Sequence, residues 1–81
     1  MRIRVRLFAR VRDIVGASEL LREVANGATL RTVWQDLVQE FPELERYGPL
    51  ISGARNEEYV RMDMPVEEGD EVAFLPPVSG G

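Results

Sequence analysis

The longest periodic stretch of the sequence is NGATLRTVWQDLVQEFPELE, residues 26–45. Its apolar side chains recur at i, i+3, i+4, i+7, i+8 and i+11, which is the spacing of one face of an α-helix; these residues are Leu30, Val33, Trp34, Leu37, Val38 and Phe41. Thr29 is the predicted N-cap, and it follows a turn at an Asn-Gly pair. Pro42 ends the helix near Phe41, because the residue before a proline is pushed out of the α region. The stripe therefore predicts a helix that packs on a sheet, with Trp34 in the core.

Strands are predicted on both sides of this helix. RIRVRLF, residues 2–8, alternates arginine with aliphatic side chains, the pattern of a half-buried strand. EVAFL, residues 71–75, carries apolar groups on both faces, with Leu75 opposite Phe74. Because both segments are strongly hydrophobic, we expect them side by side and parallel in the middle of the sheet. The chain between them is long enough for the crossover that parallel neighbours need.

Shorter elements are predicted in the remaining segments. A short helix is expected over residues 9–16, and residues 18–25 fit either a helix or a strand, with the short link favouring a strand paired to the first one. Two short strands are expected at 51–55 and 58–62. This order predicts an α+β domain, with a mixed sheet of four to five strands and one main helix across one face. The arrangement is the β-grasp of ubiquitin-like proteins.

Composition narrows the function classes. The 81-residue chain has a net charge of −4, all ten of its positive charges are Arg, and it has no Cys or His. Thiolate nucleophiles, imidazole bases, zinc sites and iron–sulfur sites are thereby excluded, as is Schiff-base chemistry on a lysine. The acidic balance disfavours nucleic acid, and no apolar run approaches the ~20 residues of a membrane helix. We expect a cytoplasmic protein with no metal, no bound cofactor and no membrane or nucleic-acid partner.

Acidic residues are concentrated in the C-terminal third. After Arg61 the only charged residues are Asp63, Glu67, Glu68, Asp70 and Glu71. Such an acidic platform is able to dock on a basic partner, with the attraction acting on encounter rate and orientation. An ordinary solvated surface gives the same pattern.

Three segments resemble one family. LFARVRDIVG at residues 7–16, ARNEEYV at residues 54–60 and GDEVAFLPPVSGG at residues 69–81 are similar to the small, sulfur-carrier subunit of molybdopterin synthase, a ubiquitin-like protein of about this size. The last segment is the most specific, because a strand, two prolines, Val, Ser or Thr and a final Gly-Gly are typical of the molybdopterin branch. A bare Gly-Gly end also occurs in thiazole-pathway sulfur carriers and in ubiquitin-like modifiers.

The resemblance implies a sulfur carrier for molybdenum cofactor synthesis that is no enzyme on its own. It implies that Gly81 is adenylated by a ubiquitin-activating-like adenylyltransferase that uses ATP, and is then converted to a thiocarboxylate. The thiocarboxylate would enter the large subunit, where its sulfur goes to a pterin precursor, in a heterotetramer of two large and two small subunits. Three alternatives stay open: a ubiquitin-like protein modifier, a thiazole- or tRNA-type sulfur carrier, and an interaction domain with an inert tail.

The tail suits this chemistry for steric reasons. We expect residues 1–75 to form the domain and residues 76–81 an extended tail. The part expected to insert into the partner is Pro76, Pro77, Val78, Ser79 and Gly80, ahead of Gly81. The two prolines end the strand ladder and stiffen the exit, whereas glycines without a Cβ fit a narrow tunnel and leave the acyl carbon unshielded. The last four residues reach at most roughly 14 Å.

Leu75 and Tyr59 are the candidate interface residues. If the helix covers the Phe74 side of the sheet, Leu75 lies on the other side, and Tyr59 lies in a neighbouring short strand. Together they would form an apolar patch beside the tail, which is typical of an interaction surface. The alternative is that Leu75 is an ordinary, partly exposed residue.

Overall fold

One mixed sheet organises the part of the chain that is described. The computed structural model describes residues 1–77. Its elements are β1 (Arg2–Leu7), α1 (Ala9–Val15), β2 (Glu19–Glu23), α2 (Leu30–Glu40), a 3-10 segment (Pro42–Leu50), β3 (Ser52–Arg55), β4 (Glu58–Val60) and β5 (Glu71–Leu75). Within residues 1–77 the strand order is β2-β1-β5-β3-β4. β1 and β5 are parallel and adjacent, as predicted, and the other neighbouring pairs are antiparallel.

Local sequence signals explain the helix boundaries. Thr29 caps α2, because its hydroxyl accepts a hydrogen bond from the backbone N–H of Thr32 at 3.2 Å. α2 ends at Glu40, before Pro42, as predicted. α1 ends at Gly16, whose φ of +85° is the left-handed C-cap conformation that glycine adopts most easily. None of the helices in residues 1–77 has the length and apolar character needed to span a bilayer.

The core lies between α2 and one face of the sheet. α2 buries Leu30, Val33, Trp34 and Leu37. The facing strand residues Ile3, Val5, Leu7, Val72 and Phe74 are all at most 1% exposed. The rings of Trp34 and Phe74 lie 5.2 Å apart between centroids with an interplanar angle of 57°. An aromatic pair at this spacing contributes about 0.5–1.5 kcal/mol beyond its buried area. Trp34 is therefore a core residue, as predicted.

The middle of the chain differs from the expected arrangement in detail. The sequence predicts no regular structure for residues 42–50, which form the 3-10 segment and bury Leu44. The two predicted short strands are present but shorter, because β3 begins at Ser52 and β4 ends at Val60. Met62 leaves the hairpin to place its carbonyl 2.8 Å from the backbone N–H of Arg31. This bond serves one of the first N–H groups of α2, which have no partner within the helix.

Asp70 is buried, so the expected acidic platform is wrong at this position. Asp70 is 6% exposed. Its carboxylate accepts hydrogen bonds from Arg55 Nε at 2.7 Å, Asn56 Nδ2 at 3.0 Å and the backbone N–H of Glu67 at 2.7 Å. Arg55 Nη2 also pairs with Glu67 Oε2 at 3.1 Å. The cluster ties the end of β3 to the start of β5, a non-local arrangement that charge counting along the sequence does not reveal.

Gly53 lets α2 approach β3, and we expect Gly53→Ala to destabilise the domain. A Cβ at this position would lie 2.6 Å from Leu30 Cδ2 and 2.9 Å from Met62 Sδ. Because Leu30 is fully buried, its side chain can move away from the added Cβ only if the surrounding core repacks. Overpacking of this kind lowers the free energy of unfolding by about 1–3 kcal/mol. Urea unfolding measures the change. Gly48→Ala is the matched control, since its Cβ would meet only Trp34 Nε1 at 3.5 Å; equal effects of the two substitutions would contradict the close approach.

Asp70→Asn tests the buried cluster through the pH dependence of stability. Burial raises the pKa of Asp70, but hydrogen bonds from Asn56, the Glu67 N–H and Arg55 outweigh it and hold the pKa below its usual value. The ionised carboxylate therefore stabilises the fold above its unfolded-state pKa of about 3.9, and this contribution is lost as the pH falls through the lower folded value.

We expect Asp70→Asn to lower the free energy of unfolding by about 1–3 kcal/mol at pH 7. The difference from the unsubstituted protein should shrink as the pH falls below about 4, because the unfolded state then takes up the proton first, and it should disappear below the lower pKa of the folded state. Unfolding in urea at a series of pH values measures it. Asp63→Asn, at an exposed site paired with Arg61 at 3.5 Å, is the control. A difference that stays constant between pH 3 and pH 7 would contradict the cluster.

Candidate functional site

The sheet face opposite α2 carries the candidate interface. Strand pairing places Arg6, Ala73, Ala54 and Tyr59 in one row across β1, β5, β3 and β4. Leu75, paired with Ser52, lies on the same face, one row further along. Phe74 is buried under α2 on the other face. The two candidate residues therefore occupy the face that the sequence predicts.

Leu75 and Tyr59 line the same depression. Its volume is about 170 Å³, and its other lining residues are Arg6, Phe8, Ala54, Glu57, Glu71 and Ala73. Ala54 and Ala73 leave room for the depression, because alanine has the smallest side chain of any residue except glycine. Tyr59 stands at its edge and is 75% exposed, whereas Leu75 is half-buried. The structure brings the two predicted residues together in a shallow apolar site with a polar rim.

A second, apolar groove lies where β5 ends. Its volume is about 610 Å³, and it is lined by Phe8, Ala9, Arg10, Tyr47, Leu75, Pro76 and Pro77. Leu75 belongs to both the depression and this groove, so the two form one continuous surface. Pro76 is half-buried and Pro77 is exposed. The predicted tail residues Val78, Ser79, Gly80 and Gly81 lie outside the described residues.

Arginines frame this surface. The guanidinium carbon of Arg6 lies 5.3 Å from the ring centroid of Phe8, and Arg6 Nη1 lies 3.8 Å from Glu71 Oε2. Hydrogen bonding to the Tyr47 side chain raises the pKa of Arg10. The position of the Arg6 guanidinium over the Phe8 ring is a favourable cation–π arrangement.

Phe8 and Tyr47 are surface residues that the sequence-based predictions do not include. Phe8 has a sequence signal, because it continues the even-numbered face of β1 that otherwise carries arginine and ends it with an aromatic ring. Tyr47 has no comparable signal. It reaches the groove only because the 3-10 segment folds back beside the end of β5.

Comparison with known proteins assigns the family. Residues 5–81 match the model of the ThiS family. The chain belongs to the ThiS family. A molybdopterin synthase sulfur carrier subunit from Arabidopsis thaliana is 39% identical to this ThiS-family protein over 79 residues, covering 98% of this chain and 82% of the relative. The subunit of the same name from Escherichia coli K12 is 37% identical and covers 98% and 99% of the two chains. The predicted resemblance is confirmed.

The fold is shared with solved structures. The crystal structure of SAMP1 from Haloferax volcanii superposes on this ThiS-family protein with a TM-score of 0.86 and 29% identity, and covers 100% of both chains. The predicted β-grasp is confirmed, with a sheet of five strands among residues 1–77. The names of the sequence relatives favour sulfur carriage for molybdopterin among the functions that a Gly-Gly tail allows.

Proposed function

We propose that this ThiS-family protein is the sulfur-carrier subunit of molybdopterin synthase and acts in the cytoplasm. The observation that carries the proposal is the match to the ThiS family over residues 5–81, which includes the Gly-Gly pair, together with relatives of that name at 37–39% identity. The protein donates sulfur and is not an enzyme alone. Its partners are the large subunit, in a heterotetramer of two large and two small subunits, and an ATP-dependent adenylyltransferase that resembles ubiquitin-activating enzymes.

The reactive group is the carboxyl group of Gly81. As a carboxylate it is a poor acyl donor, because it is anionic and would have to expel oxide. Attack of the carboxylate on the α-phosphate of ATP releases pyrophosphate and gives an acyl adenylate, from which sulfide displaces AMP. The resulting thiocarboxylate is an anion at neutral pH, and its sulfur displaces an oxygen leaving group of the pterin precursor. Hydrolysis of the thioester that forms leaves the sulfur on the pterin and regenerates the Gly81 carboxylate. Because the chain has no Cys, no side-chain thiol can carry the sulfur, and the terminal carboxyl group takes this role.

The end of β5 supports this role for the tail. β5 is paired with β1 up to Phe74 and with β3 up to Leu75. Pro76 and Pro77 then have no N–H to continue the ladder, so the chain leaves the sheet at a fixed point. We propose that residues 76–81 form the tail and that its last residues enter the large subunit, at most roughly 14 Å from Pro77. The globular domain stays outside.

The depression and the groove are the proposed docking surface for the large subunit. They are continuous at Leu75 and lie directly beside the start of the tail. An apolar floor with a large exposed aromatic side chain at its edge is typical of the centre of an interface. Docking here would hold the tail at the mouth of its tunnel, so that the tail loses less conformational freedom on insertion.

Deletion of Gly81 should abolish sulfur transfer without unfolding the domain. The deleted group is the proposed acyl group, and no described contact of residues 1–77 involves it, so the circular dichroism spectrum and the melting temperature should not change. Reconstitution with the large subunit, the adenylyltransferase, ATP, a sulfur source and the pterin precursor measures the transfer. Ser79→Thr is the matched control, since it keeps the tail length, and it should retain activity.

Intact mass provides an independent check on Gly81. After incubation with the adenylyltransferase, ATP and a sulfur source, the protein should gain the mass difference between sulfur and oxygen. Amidation of the terminal carboxyl group should prevent the gain. An unchanged mass for the unmodified protein, or sulfur transfer by the amidated protein, would defeat the assignment.

Tyr59→Ser should weaken binding of the large subunit by at least tenfold, because buried tyrosines at the centre of interfaces contribute about 2 kcal/mol or more. Stability should change little, since the side chain is 75% exposed. Isothermal titration calorimetry measures the affinity. Leu21→Ser is the matched control, because Leu21 is 66% exposed on the same sheet face but at the opposite edge, in β2. Equal losses for the two variants would place the interface elsewhere.

A ubiquitin-like modifier is the second candidate function. The likeness to SAMP1, a small archaeal modifier protein, favours it. Both functions begin with adenylation of Gly81, so only their later steps separate them. A modifier would form conjugates with lysines of other proteins in a cell extract supplied with ATP, and a molybdopterin carrier would give dithiolene product with the large subunit and pterin precursor. Conjugates without dithiolene product would favour the modifier.

A further inference from the structure

The turn between β3 and β4 contains an unusual residue. Asn56 and Glu57 are its two central residues, and both have positive φ, +51° and +70°. A two-residue hairpin loop with positive φ at both positions is the type I′ turn, for which Asn-Gly is the favoured sequence. Glutamate at the second position has a Cβ that strains the left-handed conformation, a strain that glycine would not have.

Asn56 is explained by the fold, whereas Glu57 is not. The backbone N–H of Asn56 donates to the Glu71 carbonyl at 2.7 Å, and its side-chain oxygen accepts from the Glu71 N–H at 2.9 Å. Its side-chain nitrogen donates to Asp70 at 3.0 Å. The Glu57 carboxylate has no hydrogen bond or ion pair within residues 1–77. The turn requires positive φ at Glu57, but no contact within residues 1–77 requires glutamate rather than glycine there, and residues held in strained conformations cluster at functional sites.

The position of Glu57 indicates what the carboxylate is for. Glu57 lines the depression together with Tyr59 and Leu75. Arg55, two residues away along the chain, is paired with Asp70 and Glu67, and Arg6, which lines the same depression, is paired with Glu71. The carboxylate therefore adds an uncompensated negative charge to the rim of an apolar site, where a partner would meet it while filling the depression.

We propose that Glu57 is a specificity residue, and that it pairs with an arginine or lysine of the large subunit beside the apolar side chain that fills the depression. The inference rests on the proposed function, because it uses the same docking surface. A rim charge of this kind acts mainly on the association rate and on the choice of partner. It also excludes partners that carry an acidic group at the matching position, because like charges at close range repel.

Binding of the large subunit to the full chain tests the proposal. Glu57→Gln keeps the size of the side chain and removes its charge. We expect it to weaken binding by about fivefold at low ionic strength, mostly through slower association, which is the effect of one exposed ion pair. The difference should nearly disappear in 1 M NaCl, where the screening length is about 3 Å. Stopped-flow fluorescence or surface plasmon resonance gives the rates.

Glu58→Gln is the matched control. It removes the same charge from the next residue, whose side chain lies on the other face of the hairpin by strand alternation and does not line the depression. Its affinity should stay within twofold of the unsubstituted protein. Equal effects of the two substitutions, or no effect of Glu57→Gln, would overturn the proposal. Slower adenylation with unchanged binding of the large subunit would also overturn it, by assigning Glu57 to the activating enzyme.

Glu57→Gly separates function from stability. It should raise the melting temperature by roughly 5 °C, because it relieves the left-handed strain, and it should weaken binding as much as Glu57→Gln. A variant that is more stable and binds as well as the unsubstituted protein would overturn the role of the carboxylate. If the unsubstituted protein itself does not bind the large subunit, the proposed function fails. If it binds and all the variants bind equally, only the inference on Glu57 fails.

Discussion

Parallel pairing of β1 with β5 is the constraint on which the rest of the structure depends. It joins the first and last strands at the centre of the sheet, so the chain between them must cross over one face. α2 provides that crossover and covers the face that carries Phe74. The opposite face stays open, and its depression lies beside the point where β5 leaves the sheet. The position of the proposed docking surface follows from this pairing.

The elements that were predicted correctly carry their signal within a few residues. The alternation of β1, the helical stripe and Thr29 cap of α2, and the two-sided apolar pattern of β5 each reflect a local periodicity. The 3-10 segment and the burial of Asp70 were not predicted. Both depend on partners that are distant in the sequence, such as Arg55 for Asp70, and composition along the chain carries no information about such contacts.

The candidate site was predictable to a similar extent. Strand alternation places Leu75 and Tyr59 on one face, and the structure brings them to one depression. Tyr47 was not predictable, because its contribution to the groove depends on the path of the 3-10 segment. Glu57 was only partly predictable, because the sequence shows its charge but does not show its positive φ. Only the combination of a strained backbone and an unused carboxylate makes it conspicuous.

The attachment of the tail to a central strand also has a mechanical consequence. β5 is bonded along its length to β1 on one side and to β3 on the other. Tension applied at Pro77 along the strand axis loads the bonds of two ladders together in shear, whereas an edge strand would have only one ladder to resist it. The domain therefore resists force applied through its C-terminal segment with twice as many ladders as a domain whose last strand lies at an edge.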